Sequence, residues 1–306
     1  MRDIFIKTFE KKVKRNDNTI LITADLGFGV LDNFKKKFPK KFINVGICEQ
    51  NMIGLATGLS KKGFNVFCYS LGNFPTMRCL EQIRNDAAYH NANIKIINVG
   101  GGYSYGPLGF SHHATEDLSY MRCIPNVKII APSCPEDTEI LTDYIFRAKG
   151  LFYLRLDKQR NQEFKILKKQ IKFGKICTIK KGNGLAIFSI GGITNEVYKV
   201  SEFLKKKKIN CSIYNCHTLK PFDVKIDILL KKYKKIVVVE ENSVLGGLNG
   251  EISEHIVKLD LPDIQYLNFG IKDKFQKVVG DRNYLLKKNN LDYFYIANKI
   301  LKKFNI

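Results

Sequence analysis

The sequence predicts an α/β protein in two domains, a doubly wound parallel sheet followed by a smaller α/β domain, and three observations carry that prediction. Short runs rich in Val, Ile and Phe alternate with amphipathic stretches at helical spacing through nearly all 306 residues. The alternation lapses once, in a basic and irregular stretch from Lys158 to about Gly184, and then resumes. Apolar residues make up 44 % of the chain, enough to fill two cores. Strands that alternate with helices pair in parallel and are covered on both faces. The expected division is a first domain at 1–160, a linker at 161–183 and a second domain at 184–306.

Element by element, the opening stretch "MRDIFIKTFEKKVK" places Ile6, Phe9 and Val13 on one face of a surface helix, and Asp3 and Glu10 argue against a targeting peptide. Strands are expected at 19–25, 42–46, 65–70, 94–100, 127–132 and 152–156, each an apolar run bounded by turn residues. Helices are expected at 48–62, 74–90, 116–122 and 135–148, the last opened by "SCPEDTE" with its acidic first turn. In the second domain the strands are 185–192, 210–216, 235–241 and 264–270. Helices follow at 195–208, from 223, and after "GGLNG", with one closing amphipathic helix over 284–303.

Composition excludes several classes. No run of about 18 apolar residues marks a membrane span. The net charge of +22 invites a nucleic-acid reading, yet only nine of the 51 basic residues are Arg and the lysines are spread along helix ends and polar faces. They read as a solvated surface that suits an acidic or phosphorylated partner, with no nucleic acid and no membrane involved. The eight cysteines include no C-x-x-C pair, so reduced thiols in the cytoplasm are expected and no metal site is indicated.

Four stretches carry candidate chemistry. In "NVGICEQNMIGLATGLSKKG", residues 44–63, Glu49 stands in the first helical turn after a strand's carboxyl end, where open α/β sheets bind ligands. Met52, Leu55, Ala56 and Leu59 share one face of that helix, and Gly54 and Gly58 form a small-residue strip beside it. The loop 100–126, "GGGYSYGPLGFSHHATEDLSYMRCIPN", is long enough to be functional and holds His112 and His113, whose side chains diverge too far to share a metal but suit hydrogen bonding or proton transfer in a pocket. Phe74 begins the helix expected after the third strand, and Arg155 and Lys158 at the sixth strand's end could meet an anion. No P-loop and no G-x-G-x-x-G after a strand is present.

The strip "ICEQNMIGLATGLS" resembles the glutamate-bearing helix of transketolases and their thiamine-diphosphate relatives. "FPTMRCLEQIRND" is similar to the aromatic segment on which the cofactor's aminopyrimidine packs, and "FSHHATEDLSYMRCIPN" to a loop written T-H-Q-x-x-x-D-x-x-x-x-R-x-x-P-N in that family. "ADLGFG" and "VVVEENSVLGGLNGEI" resemble family sequences of the first strand and the C-terminal domain, so the likeness covers essentially the whole chain.

The resemblance implies a half enzyme. The first domain would be the pyrimidine-binding domain and the second the transketolase C-terminal domain. The G-D-G…N motif that holds the diphosphate and Mg²⁺ in full-length relatives is absent, so an N-terminal diphosphate-binding subunit is the implied partner, in a two-fold assembly. Thiamine diphosphate with Mg²⁺ is the implied cofactor, and sugar phosphates are the implied substrates. By residue matching, Glu49 would bond N1′ of the aminopyrimidine, Phe74 would stack on it, Asp25 would lie near the cofactor, and Leu71 stands where a second stacking aromatic is usual. His112 would contact a donor hydroxyl, with His113 in place of the usual Gln, and Lys158 aligns loosely with a basic residue that grips sugar phosphate; Arg155 stays a substrate-binding candidate from its strand-end position.

Where the family commonly has an acid four positions before the loop histidine, this chain has Leu108. The same motifs leave a 1-deoxyxylulose-5-phosphate synthase, a 2-oxo-acid dehydrogenase beta subunit and a non-catalytic scaffold subunit as alternatives. The histidine loop favours the sugar-using branches, the split chain favours transketolase, and Glu49 speaks against a scaffold. The departures point to an unusual donor or acceptor sugar. Poor turnover of xylulose 5-phosphate with ribose 5-phosphate is therefore expected, and kinetics equal to those of an ordinary transketolase would remove that reading.

Overall fold

The computed structural model describes residues 1–158 and 162–306; the expected boundary at 160–161 lies outside the described residues. The first sheet takes β1 (Thr19–Thr23), β2 (Phe42–Asn44), β3 (Asn65–Leu71), β4 (Ile94–Val99), β5 (Lys128–Ile130) and β6 (Phe152–Leu156). The second takes β7 (Cys177–Lys180), β8 (Leu185–Ile190) and β9 (Ser212–Asn215). Next in the chain, β10 (Thr218–Lys220) crosses to the first sheet, and β11 (Lys235–Ser243) and β12 (Gln265–Ile271) complete the second.

The first sheet runs β10-β5-β6-β4-β3-β1-β2 and is parallel except at β10, which pairs antiparallel with β5. Side-chain alternation with period two feeds its two faces. Leu21, Phe67, Ile97 and Leu154 meet the Arg2–Val13 and Pro135–Arg147 helices, where the Phe9 and Phe67 rings lie 4.6 Å apart. Ile22, Cys68, Ile96 and Tyr153 meet the Glu49–Lys61 and Asp117–Cys123 helices. The second sheet runs β12-β11-β8-β9-β7, parallel except for β7. Its Ile187, Ile213, Val237 and Val239 face the Thr194–Lys206 and Tyr293–Phe304 helices, while Phe188 and Val238 join the core that holds Ile22 and Tyr153. One apolar core thus runs across both domains.

Several elements differ from expectation, each for a local reason. The helix expected over 74–90 breaks into a 3₁₀ turn (Met77–Cys79), one α turn (Leu80–Gln82) and a π-helical run (Ile83–Ala88). Pro75 has no N–H to give, and the Thr76 hydroxyl bonds the Tyr120 hydroxyl at 2.7 Å instead of serving a helix. The closing helix divides into Arg282–Lys288 and Tyr293–Phe304, because Asn290 adopts a φ of 60° and Asp292 caps the second piece by accepting from the Tyr295 N–H at 3.1 Å. Within the stretch read as linker, Cys177–Lys180 forms an edge strand on β9. In the opening helix Phe5 is buried where Ile6 was expected. All eight cysteines are free thiols, with Cys48 and Cys123 exposed. Among the described residues no helix is long and apolar enough to cross a membrane.

At the opposite end of the first sheet from Glu49, Lys95 is wholly buried, and its ammonium donates to Asn65 Oδ1 at 2.6 Å and to Asn93 Oδ1. Burial, aided by the charge of Lys128, pulls its pKa down to about 7 from 10.5. Between those two values the unfolded chain binds a proton that the folded chain does not, so this group makes stability rise with pH across the window. Lys95→Met is expected to flatten that rise, read as the difference between wild-type and variant urea midpoints at about pH 7 and about pH 10. Equal slopes would show that Lys95 does not titrate as described.

Candidate functional site

β2 ends at Asn44, Gly46 turns the chain at a φ of 75°, and the Glu49–Lys61 helix starts at the carboxyl edge of the sheet. A carboxylate in its first turn complements the helix dipole. Because Met52, Ile53, Ala56 and Thr57 face the core, Glu49 is drawn in with them and is only 2 % exposed. Its Oε2 accepts from Arg78 Nη1 at 2.9 Å. The Arg78 guanidinium lies 4.4 Å from the centre of the Phe74 ring, and the edge of that ring meets His112 with centroids 5.2 Å apart. Glu49, Phe74 and His112, predicted from three separate stretches, are thus joined through one residue the sequence reading missed. Its signal was the spacing: Arg78 stands four positions after Phe74, on the face a helix would share.

Supporting residues set this arrangement. Asp25 adopts a φ of 53°, and its N–H and carboxylate bond the two ends of the Asn44 amide at 2.9 and 3.2 Å. Leu71 closes β3 half-buried. Gly72 follows at a φ of 59°, where a Cβ would stand 2.8 Å from the His112 carbonyl oxygen, so only glycine lets the histidine loop come so close. The Asn73 amide donates to the His113 carbonyl and fixes the loop from the same side. The Gly54 and Gly58 strip meets nothing and faces outward.

One expectation needs correction. Arg155 does not reach a substrate. It is 1 % exposed, with Nε on Asp117 Oδ2 at 2.8 Å and Nη2 on the carbonyls of Ala114 and Glu241 at 3.0 and 2.8 Å. Burial opposes its charge, but Asp117 and Asp157 outweigh burial and raise its pKa. The reason is positional, since β6 lies inside the sheet between β5 and β4 and residue 155 points into the domain seam. His113 is likewise buried, with Nε2 3.3 Å from the Gly106 carbonyl and its ring edge-on to Tyr103 at 5.2 Å, and burial lowers its pKa. It forms part of a wall while His112 keeps partial exposure. Lys158 is exposed, its ammonium 4.7 Å from the centre of the Tyr105 ring.

Beside Phe74 and Arg78 a cleft of about 760 Å³ opens between the two domains, bounded by Tyr103, His113 and Glu116 on one side and by Ser243 and residues 271–276 on the other. Among the described residues no group of three or more His, Cys, Asp or Glu could hold a metal ion.

Comparison with known protein families covers most of the chain. The model described as "Transketolase, pyrimidine binding domain" matches residues 1–163, and "Transketolase, C-terminal domain" matches 174–286. The chain belongs to the transketolase family. It is 35 % identical to a protein of Methanocaldococcus jannaschii named for a transketolase C-terminal section, over 99 % of this chain and 96 % of that one. It is 30 % identical to an apulose-4-phosphate transketolase subunit of Actinobacillus succinogenes, over 95 % and 94 % of the two chains. It also superposes on a split-gene transketolase solved as an inactive β4 tetramer, with a TM-score of 0.88 at 28 % identity over 99 % of this chain and 97 % of that one.

The two acid–arginine pairs should respond differently to substitution. Glu49→Gln keeps an acceptor for half-exposed Arg78 and is expected to change unfolding free energy by about 1 kcal/mol or less. Arg155→Met leaves the buried Asp117 carboxylate without its cation and is expected to lose about 3–5 kcal/mol. Urea unfolding measures both, and equal losses would contradict the burial difference.

Proposed function

We propose that this chain is the pyrimidine-side subunit of a split, thiamine-diphosphate-dependent transketolase that moves a two-carbon glycolaldehyde unit from a ketose phosphate to an aldose. The observation that carries this reading is Glu49, a carboxylate removed from water that accepts from Arg78, whose guanidinium lies over the Phe74 ring. Those residues fit the aminopyrimidine end of the cofactor. The Glu49 carboxylate would be the acceptor for the ring-nitrogen edge, and Phe74 would offer a face on which a flat heterocycle packs. When bound, the cofactor supplies a carbon nucleophile that can cleave and re-form the bond next to a sugar carbonyl. The protein's part is to accept a hydrogen bond at the Glu49 carboxylate, to orient the ring against Phe74 and to bond a sugar hydroxyl from His112.

The metal and diphosphate are assigned to a partner chain. The ends of the first four strands carry the exposed side chains of Phe28, Ile47, Met77 and Phe110, and apolar residues gathered around a site mark a surface another chain covers. That partner would be a diphosphate-binding transketolase half, in a two-fold heterotetramer with Mg²⁺ at the partner's end of the cofactor. The apulose-4-phosphate transketolase among the relatives, together with Leu108 and His113 in the loop, supports a specialised sugar over those of central pentose metabolism.

The test is reconstitution with a diphosphate-binding subunit, thiamine diphosphate, Mg²⁺ and a panel of ketose phosphates. Donor cleavage is expected only in the mixture, and Glu49→Gln is expected to lower turnover by about 10²–10⁴-fold. Undiminished turnover in Glu49→Gln, or preference for pyruvate with decarboxylation, would sink the assignment.

A further inference from the structure

The end of the first sheet opposite Glu49 gathers cations without carboxylates. The Glu49–Lys61 helix, the π-helical run and the Pro135–Arg147 helix all finish there, and the turns that follow them lead into β3, β4 and β6. Those turns enclose a cavity of about 380 Å³. Lys61, His90 and Lys149 stand on its walls, and among the described residues no Asp or Glu does. Gly150, at a φ of 104°, admits the ammonium of half-buried Lys128, which lies 2.6 Å from the point where a Cβ would stand. Behind this layer, buried Lys95 donates to the side chain of Asn93, itself part of the wall.

Basic residues just beyond a helix complement its dipole, and that alone would account for Lys61 and Lys149. It does not account for Lys95 and Lys128, which sit on strands. Burial lowers the pKa of each, and the charge of Lys128 lowers that of Lys95 further. The lysine ion pairs among the described residues involve other positions, so none of these four is neutralised by the chain. Like charges gathered in partly dry surroundings cost stability, and an anion seated among them would recover it.

The polar groups have the same bias toward donation. The Lys61 ammonium stands 3.3 Å from His90 Nδ1, and donating there leaves the ring proton on Nε2 as a further donor. Ser60 Oγ accepts from the Asn93 N–H at 2.6 Å and keeps its own O–H to give. Ammonium groups converging from separate elements suit an anion with several charged oxygens.

We propose that this cavity binds a small, multiply charged oxyanion of the phosphate class, held by Lys61, Lys128 and Lys149. It lies at the far end of a helix whose 13 residues span about 20 Å from Glu49, and so is separate from the site there and from the cleft between the domains. The inference goes beyond the transketolase reading and does not depend on it.

The experiment uses the full chain without cofactor, at constant ionic strength in chloride, and follows binding by calorimetry and by the urea midpoint. Inorganic phosphate and methyl phosphate are separate arms. Saturable binding with a rise in the midpoint is expected in at least one arm. Tighter methyl phosphate would identify a phosphate ester as the ligand, and tighter inorganic phosphate the free ion; either supports the site. The exposed pair Lys61→Ala/Lys149→Ala should weaken binding about tenfold or more and abolish the midpoint rise, while folding no less stably in chloride alone. Lys158→Ala, at the carboxyl end of the sheet, should leave the affinity as it is. Absence of saturable binding in both arms, wild-type affinity in the Lys61/Lys149 variant, or loss of binding in Lys158→Ala would each overturn the proposal. Failure of donor cleavage on reconstitution would count against the transketolase reading and leave this binding untouched.

Discussion

The guanidinium of Arg155, sealed between the two domains, is tolerated there because anions and carbonyls stand in for its lost water. Its partners come from three parts of the chain. Asp117 opens the Asp117–Cys123 helix, the Ala114 carbonyl lies just after the two histidines, and the Glu241 carbonyl belongs to β11 of the second domain. The Glu241 carboxylate in turn accepts from the Tyr103 N–H at 2.7 Å and pairs with Arg282 at 2.5 Å, and Asp157 accepts from the Gly192 N–H. The loop that presents His112, the floor of the cleft and the docking of the second domain are therefore solutions to one electrostatic problem. Shifting any of them would leave a charge in the interior without compensation.

The same logic operates at smaller scale around Glu49. Its helix is amphipathic enough to bury the first turn, and a bare carboxylate in that position would be costly. Arg78 removes the difficulty without burying itself, because its guanidinium rests against the Phe74 face and keeps 46 % of its side chain exposed to solvent. The interior ion pair at Arg155 is closed on all sides, whereas this one has an open side facing the cleft.

What was legible in the sequence follows from which forces act locally. Strands such as Phe152–Leu156 and helices such as Pro135–Arg147 were readable within a residue, because β-branched runs and caps act over a few positions. Glu49, Phe74 and His112 were legible as a motif, and the structure brings them together. Arg155 was misread because its meaning depends on Asp117 and Glu241, 38 and 86 positions away, which no local pattern encodes. Arg78 was passed over for a related reason: its significance lies in a contact with an acid 29 positions earlier. The lysine surplus, by contrast, reads the same in sequence and structure, with few of those side chains inside and Lys95 the notable exception.

β10 comes from the second half of the chain yet completes the first sheet, pairing with β5 through Thr218 and Lys220. The edge of β5 therefore stays uncovered during synthesis until the ribosome has passed residue 220, well after the whole first domain has emerged. The boundary between the two family models, between residues 163 and 174, does not coincide with a division of the sheets, since β10 lies beyond it. A recombination that exchanged the second domain for an unrelated one would strip a strand from the first, so the two halves of this chain are bound to travel through evolution together.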